Sequence, residues 1–219
     1  MSEMDEVSDT MSSGPMEHAV GWRAVRRDWA HFVRVRGESG PMAYLRVLWE
    51  NPSLWGLWIY RYGYWTYSRC PRLLSIPHRA AYQAAYFLGQ IFFKVALDAK
   101  ADIHDDVWLA PGGNILVGHY ARIGTGSFMH GCNTLGLVSG TDVLPKLGDR
   151  VHVGPGTMLV GPVEVPDDTV IGANSIVVRS IPSAGAWTGA PIRPFGGPVE
   201  RLIPSTRTGL GARNRGGNR

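Results

Sequence analysis

Aliphatic side chains recur at every sixth position through the second half of the chain: Val117, Ile123, Met129, Leu135, then Leu147, Val153, Leu159, Val165, Ile171 and Val177. Glycine follows many of them, at Gly118, Gly124, Gly136, Gly148, Gly154 and Gly172. Two residues ahead of most stands a small or β-branched residue: Ile115, Ala121, Ser127, Val151, Thr157, Val163, Thr169 or Ser175. The step from Leu135 to Leu147 is twice the period, so the phase survives an interruption at Val138–Lys146. A fixed six-residue period is the hexapeptide β-helix pattern. Each six residues give one short strand and one corner, three sides make a coil, and coils stack ~4.8 Å apart. The aliphatics are expected to face inward, with glycine at the corners where a side chain would clash or φ must be positive.

The first half has helical spacing instead. Trp22, Val25, Trp29, Phe32 and Val33 fall on one face, with Arg23, Arg26, Arg27 and Arg34 mostly elsewhere. Gly37 to Pro41 breaks this helix. Further helices are predicted over Met42–Trp49, Leu54–Tyr67 and Ala80–Leu97, with stops at Asn51-Pro52-Ser53 and Cys70-Pro71. The pattern predicts an α+β chain, an N-terminal α-helical module followed by a parallel β-helix of hexapeptide repeats. Four segments follow: a disordered tail over 1–20, a helical oligomerisation module over 21–99, the β-helix over 100–197 and a basic flexible tail over 198–219.

Charge changes this picture little. The formal net charge is +4, spread unevenly: residues 1–20 hold five acids and no Lys or Arg, and 198–219 hold five arginines against Glu200. A Gly/Arg tail reads as a solvated end, not a nucleic-acid site. The aromatic third helix, with Trp55, Trp58, Tyr60, Tyr62, Tyr64, Trp65 and Tyr67, raises a membrane-surface alternative. Basic residues scattered around the helices favour protein packing instead. No stretch reaches 18 uninterrupted apolar residues, the N-terminus is acidic and not a secretory signal, and Cys70 and Cys132 form no CxxC. A cytoplasmic protein without a metal site is expected.

Three stretches resemble the serine O-acetyltransferases and their hexapeptide acyltransferase relatives. They are Asn51-Pro52-Ser53-Leu54-Trp55 with Tyr60-Arg61-Tyr62-Gly63; Asn133-Thr134-Leu135-Gly136; and Val170–Val177 with Gly189-Ala190-Pro191-Ile192-Arg193. The resemblance implies a left-handed coil, a homotrimer or dimer of trimers, and acetyl-CoA or another acyl-CoA in a groove between subunits. It also implies direct acyl transfer to a small-molecule acceptor, with a histidine taking the acceptor's proton. On the cofactor side it points to Gly154, Gly156, Gly172, Ala173, Gly189 and Arg193. Pro155, lacking an N–H, would offer only its carbonyl.

The acceptor side departs from the family. Its Asp-His motif falls on Ala110 and Pro111, and its Arg-His-Pro motif on Val143-Leu144-Pro145. One six-residue side is missing between Asp106 and Val107 in that alignment, and Met129 is expected to stack over Pro111. Three replacements are candidates for the catalytic work: His130, expected one coil from the lost histidine and pointing outward; His119, in the corner after Gly118; and Asp142, in the interruption loop. Cys132, two residues from His130, would share its side of a strand, as a nucleophile pair or as a small buried residue. His152 reads as a surface residue and His104 as structural.

The resulting expectation is a CoA-dependent acyltransferase acting on a hydroxyl or amine of a small molecule other than free serine. Two alternatives are a catalytically degenerate homologue serving as a structural or regulatory partner, and a membrane-associated glycan or lipid O-acetyltransferase.

Overall fold

The computed structural model describes residues 22–37, 39–71, 74–136 and 144–197. Both tails and Asp142 lie outside these residues. Four helices come first: α1 (Trp22–Val35), α2 (Pro41–Glu50), α3 (Pro52–Ser68) and α4 (Ser75–Phe92). Pro41 and Pro52 open α2 and α3, at a position where a missing N–H removes no helical bond. The fourth helix differs from the expected Ala80–Leu97. It starts earlier and stops at Phe92, because Val95 and Leu97 have an inner column to enter and pair as a strand with Ile115 and Val117. The β-helix therefore begins ahead of residue 100.

Its first coil is β1 (Val95–Leu97), β2 (Asp102–Ile103) and β3 (Trp108–Leu109). The second is β4 (Ile115–Val117), β5 (Arg122–Ile123) and β6 (Phe128–Met129). The third is β7 (Thr134–Gly136), β8 (Lys146–Leu147) and β9 (His152–Val153). The fourth is β10 (Met158–Val160), β11 (Glu164–Val165) and β12 (Val170–Ile171). A last turn holds β13 (Ile176–Val177) and β14 (Ala186–Thr188), and β15 (Arg193–Pro194) folds back antiparallel on β14. Strands from successive coils form three sheets, ordered β1-β4-β7-β10-β13, β2-β5-β8-β11 and β3-β6-β9-β12-β14-β15.

All three sides of the first coil are present, since Leu97, Ile103 and Leu109 lie under Val117, Ile123 and Met129. Met129 stacks over Leu109, not Pro111. The irregularity sits one corner later. From Leu109 to Val117 the chain takes eight steps instead of six, and Gly112 and Gly113 bulge with positive φ there.

The six-residue aliphatics are buried as expected, and so are the small residues two positions before them. Ala121, Ser127, Val151, Thr157, Thr169 and Ser175 are fully enclosed. Each side thus carries two inner columns. The glycines that follow the aliphatics serve space, not φ. A Cβ on Gly154 would lie 2.6 Å from the Ala173 nitrogen of the next coil. Positive φ falls two residues later, on columns that mostly lack glycine: Asp106, Gly126, Arg150, Asp168 at one corner and Asn114, Cys132, Gly156, Asn174 at another. Asn and Asp tolerate this region through local side-chain hydrogen bonding.

The first coil exposes a row of strand carbonyls, and α3 covers it. Ser53 Oγ donates to Ala110 O at 2.7 Å and Tyr60 OH to Ala101 O at 2.8 Å. Arg61 donates to Ile103 O and His104 O, both at 2.8 Å. The Arg61 guanidinium also grips Asp28 of α1 at 2.9 and 3.2 Å, with both side chains buried. Burial pushes the Asp28 carboxyl up to about 6, against the pull of Arg61. An unpaired strand edge would template aggregation, so this plug also terminates the stack.

The outward side of α4 is apolar, with Ile76, Phe87, Leu88, Ile91 and Phe92 all at least half exposed. Among the described residues no helix is long and apolar enough to cross a membrane.

Candidate active site

Each side of the coil ends in a corner, so three corner columns run up the molecule. The corner between the third and first sheets carries Ala110–Asn114, His130–Asn133, Gly154–Thr157, Gly172–Ser175 and Gly189–Pro191. Backbone bonds tie it together: Cys132 N–H to Gly113 O, Gly156 N–H to Gly131 O, and Asn174 N–H to Pro155 O. The structure thus lines up His130 and all six predicted cofactor residues on or beside one edge. Arg193, exposed, completes it where β15 pairs with Thr188.

The glycines act there differently from expectation. The N–H groups of Gly154, Gly156 and Gly172 donate to the carbonyls of Ile171, Gly131 and Trp187. Gly189 N–H donates to Ser175 Oγ at 3.2 Å. Those donors are committed to stacking. A pantetheine arm lying along this edge would meet carbonyl oxygens, the flat surface that the glycines leave, and the Arg193 guanidinium. The Pro155 carbonyl already accepts from Asn174 at 2.8 Å.

His130 does not stand free in solvent. Its ring is half-buried, edge-on to Trp108 with centroids 6.1 Å apart. Burial lowers its pKa below the ordinary histidine value. His152, expected at the surface, stacks on Phe128 at 4.9 Å, and burial followed by the nearby His130 lowers its pKa too. Phe128 in turn packs on Trp108 at 5.3 Å, and Trp108 on Phe32 of α1 at 6.2 Å. This aromatic file arises because register places Trp108, Phe128 and His152 directly over one another. Cys132 is exposed, in a positive-φ corner and not on a strand, with Asn114 Nδ2 3.8 Å from its sulfur. It shares no strand face with His130.

His119 occupies a different corner, between the first and second sheets. Its Nδ1 lies 2.6 Å from Asp98 Oδ2, one coil below. Asp98 was not among the sequence candidates. The signal that could have found it is its place in the same corner 21 residues before His119, one position off the 20-residue spacing that stacks Leu97 under Val117. Leu144, the first described residue after the interruption, packs its side chain against Gly118 and is buried. The second sheet carries outward Asp102, Arg122, Lys146 and Glu164 in register, and an open cleft there contains none of the predicted residues. Among the described residues no group of three or more metal-ligating side chains occurs.

No protein-family model matches the chain. It is 30% identical over 182 residues to a serine acetyltransferase of Mycobacterium tuberculosis, covering 78% of this chain and 76% of that protein. It is 29% identical over 164 residues to the Escherichia coli K12 serine acetyltransferase, of whose length it spans 55%. The fold superposes on soybean serine acetyltransferase apoenzyme with a TM-score of 0.67 at 22% identity, covering 78% of this chain and 69% of that one. It superposes on a serine acetyltransferase solved in complex with CoA with a TM-score of 0.64 at 22% identity, with the same two coverages. These structures share the helical region followed by a left-handed parallel β-helix. Identity of this degree, sustained over three quarters of both sequences, shows that the chain belongs to the serine acetyltransferase family, whose members are acyl-CoA-dependent acyltransferases.

Proposed function

We propose that the protein is an acetyl-CoA-dependent acetyltransferase of the cytoplasm, acting on a hydroxyl or amine of a small molecule other than free serine. The observation that carries this reading is the edge described above. His130, Gly154, Gly156, Gly172, Ala173 and Gly189 follow one corner column with Arg193 beside it on β15, an extended surface of the kind an extended cofactor needs. Acetyl-CoA supplies the thioester, and the chain supplies the surface along which it lies and the base for the acceptor.

The acceptor proposal rests on what stands where the family resemblance expects its Asp-His pair. Ala110 is buried, its carbonyl taken by Ser53, and Pro111 carries no titratable group. His130, His119 and Asp142 remain the candidates for proton transfer. The serine acetyltransferase names of the relatives favour serine itself as a second reading of the acceptor. A trimer or dimer of trimers is part of the same proposal, supported by the apolar outer side of α4.

Titration calorimetry with acetyl-CoA tests the cofactor, and release of the CoA thiol in the presence of an acceptor panel tests the acceptor. The expected result is about one acetyl-CoA site per chain, with turnover on ethanolamine-like or other carboxylate-free acceptors exceeding that on L-serine. Faster turnover on L-serine would establish the second reading. No binding of acetyl-CoA would overturn both.

A further inference from the structure

We propose that Asp98 and His119 form the proton-transfer pair of this enzyme, with Asp98 positioning the imidazole and His119 Nε2 taking the acceptor's proton. The proposal rests on the acyltransferase reading above and selects among its candidate bases.

A useful general base must be close to its substrate, held in one orientation, and left with an unbonded nitrogen. His119 meets the last two conditions by geometry. The Asp98 carboxylate is fixed at both oxygens: Oδ1 accepts the Lys100 N–H at 2.9 Å, and Oδ2 meets His119 Nδ1 at 2.6 Å. The Asp98 backbone is locked too, its N–H donating to Val117 O at 3.1 Å and its carbonyl accepting from Ala101 at 3.0 Å. A hydrogen on Nδ1, facing that carboxylate, leaves the lone pair on Nε2. The His119 side chain is 55% exposed, so a substrate can reach it, whereas Asp98 is 22% exposed and sheltered. Tyr82 and Tyr86 of α4 flank the carboxylate; burial first, and the Asp98 charge second, raise their phenol pKa values.

His130 lacks such an arrangement. Its contact is the Trp108 ring, and among the described residues no carboxylate is paired with it. The Arg150–Asp168 pair supplies the opposite contrast. It is also a corner ion pair between adjacent coils, at 2.6 and 2.7 Å, but both partners are more than half exposed and the guanidinium can take no proton.

In the step itself, the acceptor oxygen or nitrogen attacks the thioester carbonyl carbon of acetyl-CoA while Nε2 removes its proton. The carbon–sulfur bond then breaks, and the imidazolium returns that proton to the departing CoA thiolate. The products are the acetyl ester or amide and free CoA. Within one chain, His119 and the cofactor edge lie at opposite margins of the first sheet. The acetyl-CoA served by His119 is therefore one held by a neighbouring copy, across a head-to-tail interface of the kind that closes a ring.

Three variants of the full chain decide the matter: His119→Ala, Asp98→Asn and, as a matched corner-pair control, Asp168→Asn. CoA-thiol release from acetyl-CoA is followed with L-serine, ethanolamine and hydroxylamine as acceptors. His119→Ala is expected to lower kcat at least about 100-fold, and Asp98→Asn about tenfold or more, with KM for acetyl-CoA unchanged. Asp168→Asn is expected to stay within about twofold of the wild type. Nitrogen-15 NMR of the histidine rings should show His119 protonated at Nδ1, and Asp98→Asn should lose that tautomer preference. Wild-type kcat in His119→Ala, or equal effects of Asp98→Asn and Asp168→Asn, would overturn the pair alone. A wild type that turns over acetyl-CoA with none of the acceptors would overturn the acyltransferase reading itself.

Discussion

The open edge of the first coil and the stack above it face the same problem, strand carbonyls in need of donors, and meet it differently. Within the stack the strand carbonyls of each coil are served by the coil before it. Ile171 O accepts from Gly154 N–H, Val153 O from His130 N–H, and Met129 O from Ala110 N–H. At the open edge no further coil exists among the described residues, and side chains of α3 take over: Ser53, Tyr60 and Arg61. The stack uses small, repeated, uncharged parts, so an error at one coil is shared with its neighbours. The plug uses three unique side chains and one buried ion pair. Its failure leaves carbonyls and a carboxylate stranded, and stranding a buried charge costs more than losing a contact.

The sharpest way to break this contrast is Arg61→Met. Losing the partner of a buried carboxylate is expected to destabilise by about 3–5 kcal/mol. The loss should also depend on pH. A carboxyl whose pKa is raised in the folded state, about 6 against 3.8, binds its proton more tightly when folded. Its stabilising contribution is therefore full below the unfolded value and is lost as pH rises through the folded one. Removing Arg61 removes the main group holding Asp28 down, so the window extends upward. Urea unfolding should show Arg61→Met more impaired at pH 8 than at pH 5. Equal loss at the two pH values would mean that Asp28 is not the stranded group.

A smaller effect is expected inside the stack. Ile123→Val removes one methyl from a fully buried column and should cost about 1 kcal/mol by the same denaturation assay, without pH dependence. The smallest is Arg150→Ala. This exposed corner pair, for all its short distances, should leave Tm within about 1 °C of the wild type. A large drop there would show that corner ion pairs contribute materially to the stack, and would erase the distinction between plug and ladder.

The same contrast explains what could be read from the sequence. The coils were legible because each repeats the last: Val117, Ile123 and Met129 announce the three sides, and the step to Leu147 keeps the phase. The plug was not. Arg61 sits alone among aromatics, and Asp28 among arginines, and no period relates two residues 33 apart on different helices. Val95–Leu97 read as the end of a helix because three residues cannot show alternation against a strongly helical run. The candidate site was half legible. The corner column proposed for the cofactor could be assembled from period and resemblance. The His119–Asp98 contact needed the coil height, which was obscured by the two extra residues after Leu109 and by the apparent missing side. The burial of His152 and His130 likewise depends on the aromatic file that those shifts in register create.

The plug has a bearing on how the molecule is born. A ribosome delivers the amino end first, at about 5–20 residues per second. Ser53, Tyr60 and Arg61 are therefore synthesised before any strand they will bind. The first coil emerges beside a helix already furnished with donors spaced for its carbonyls, and each later coil emerges beside a finished one. Growth proceeds in a single direction from a prepared floor, and the newest edge is the one still waiting for chain.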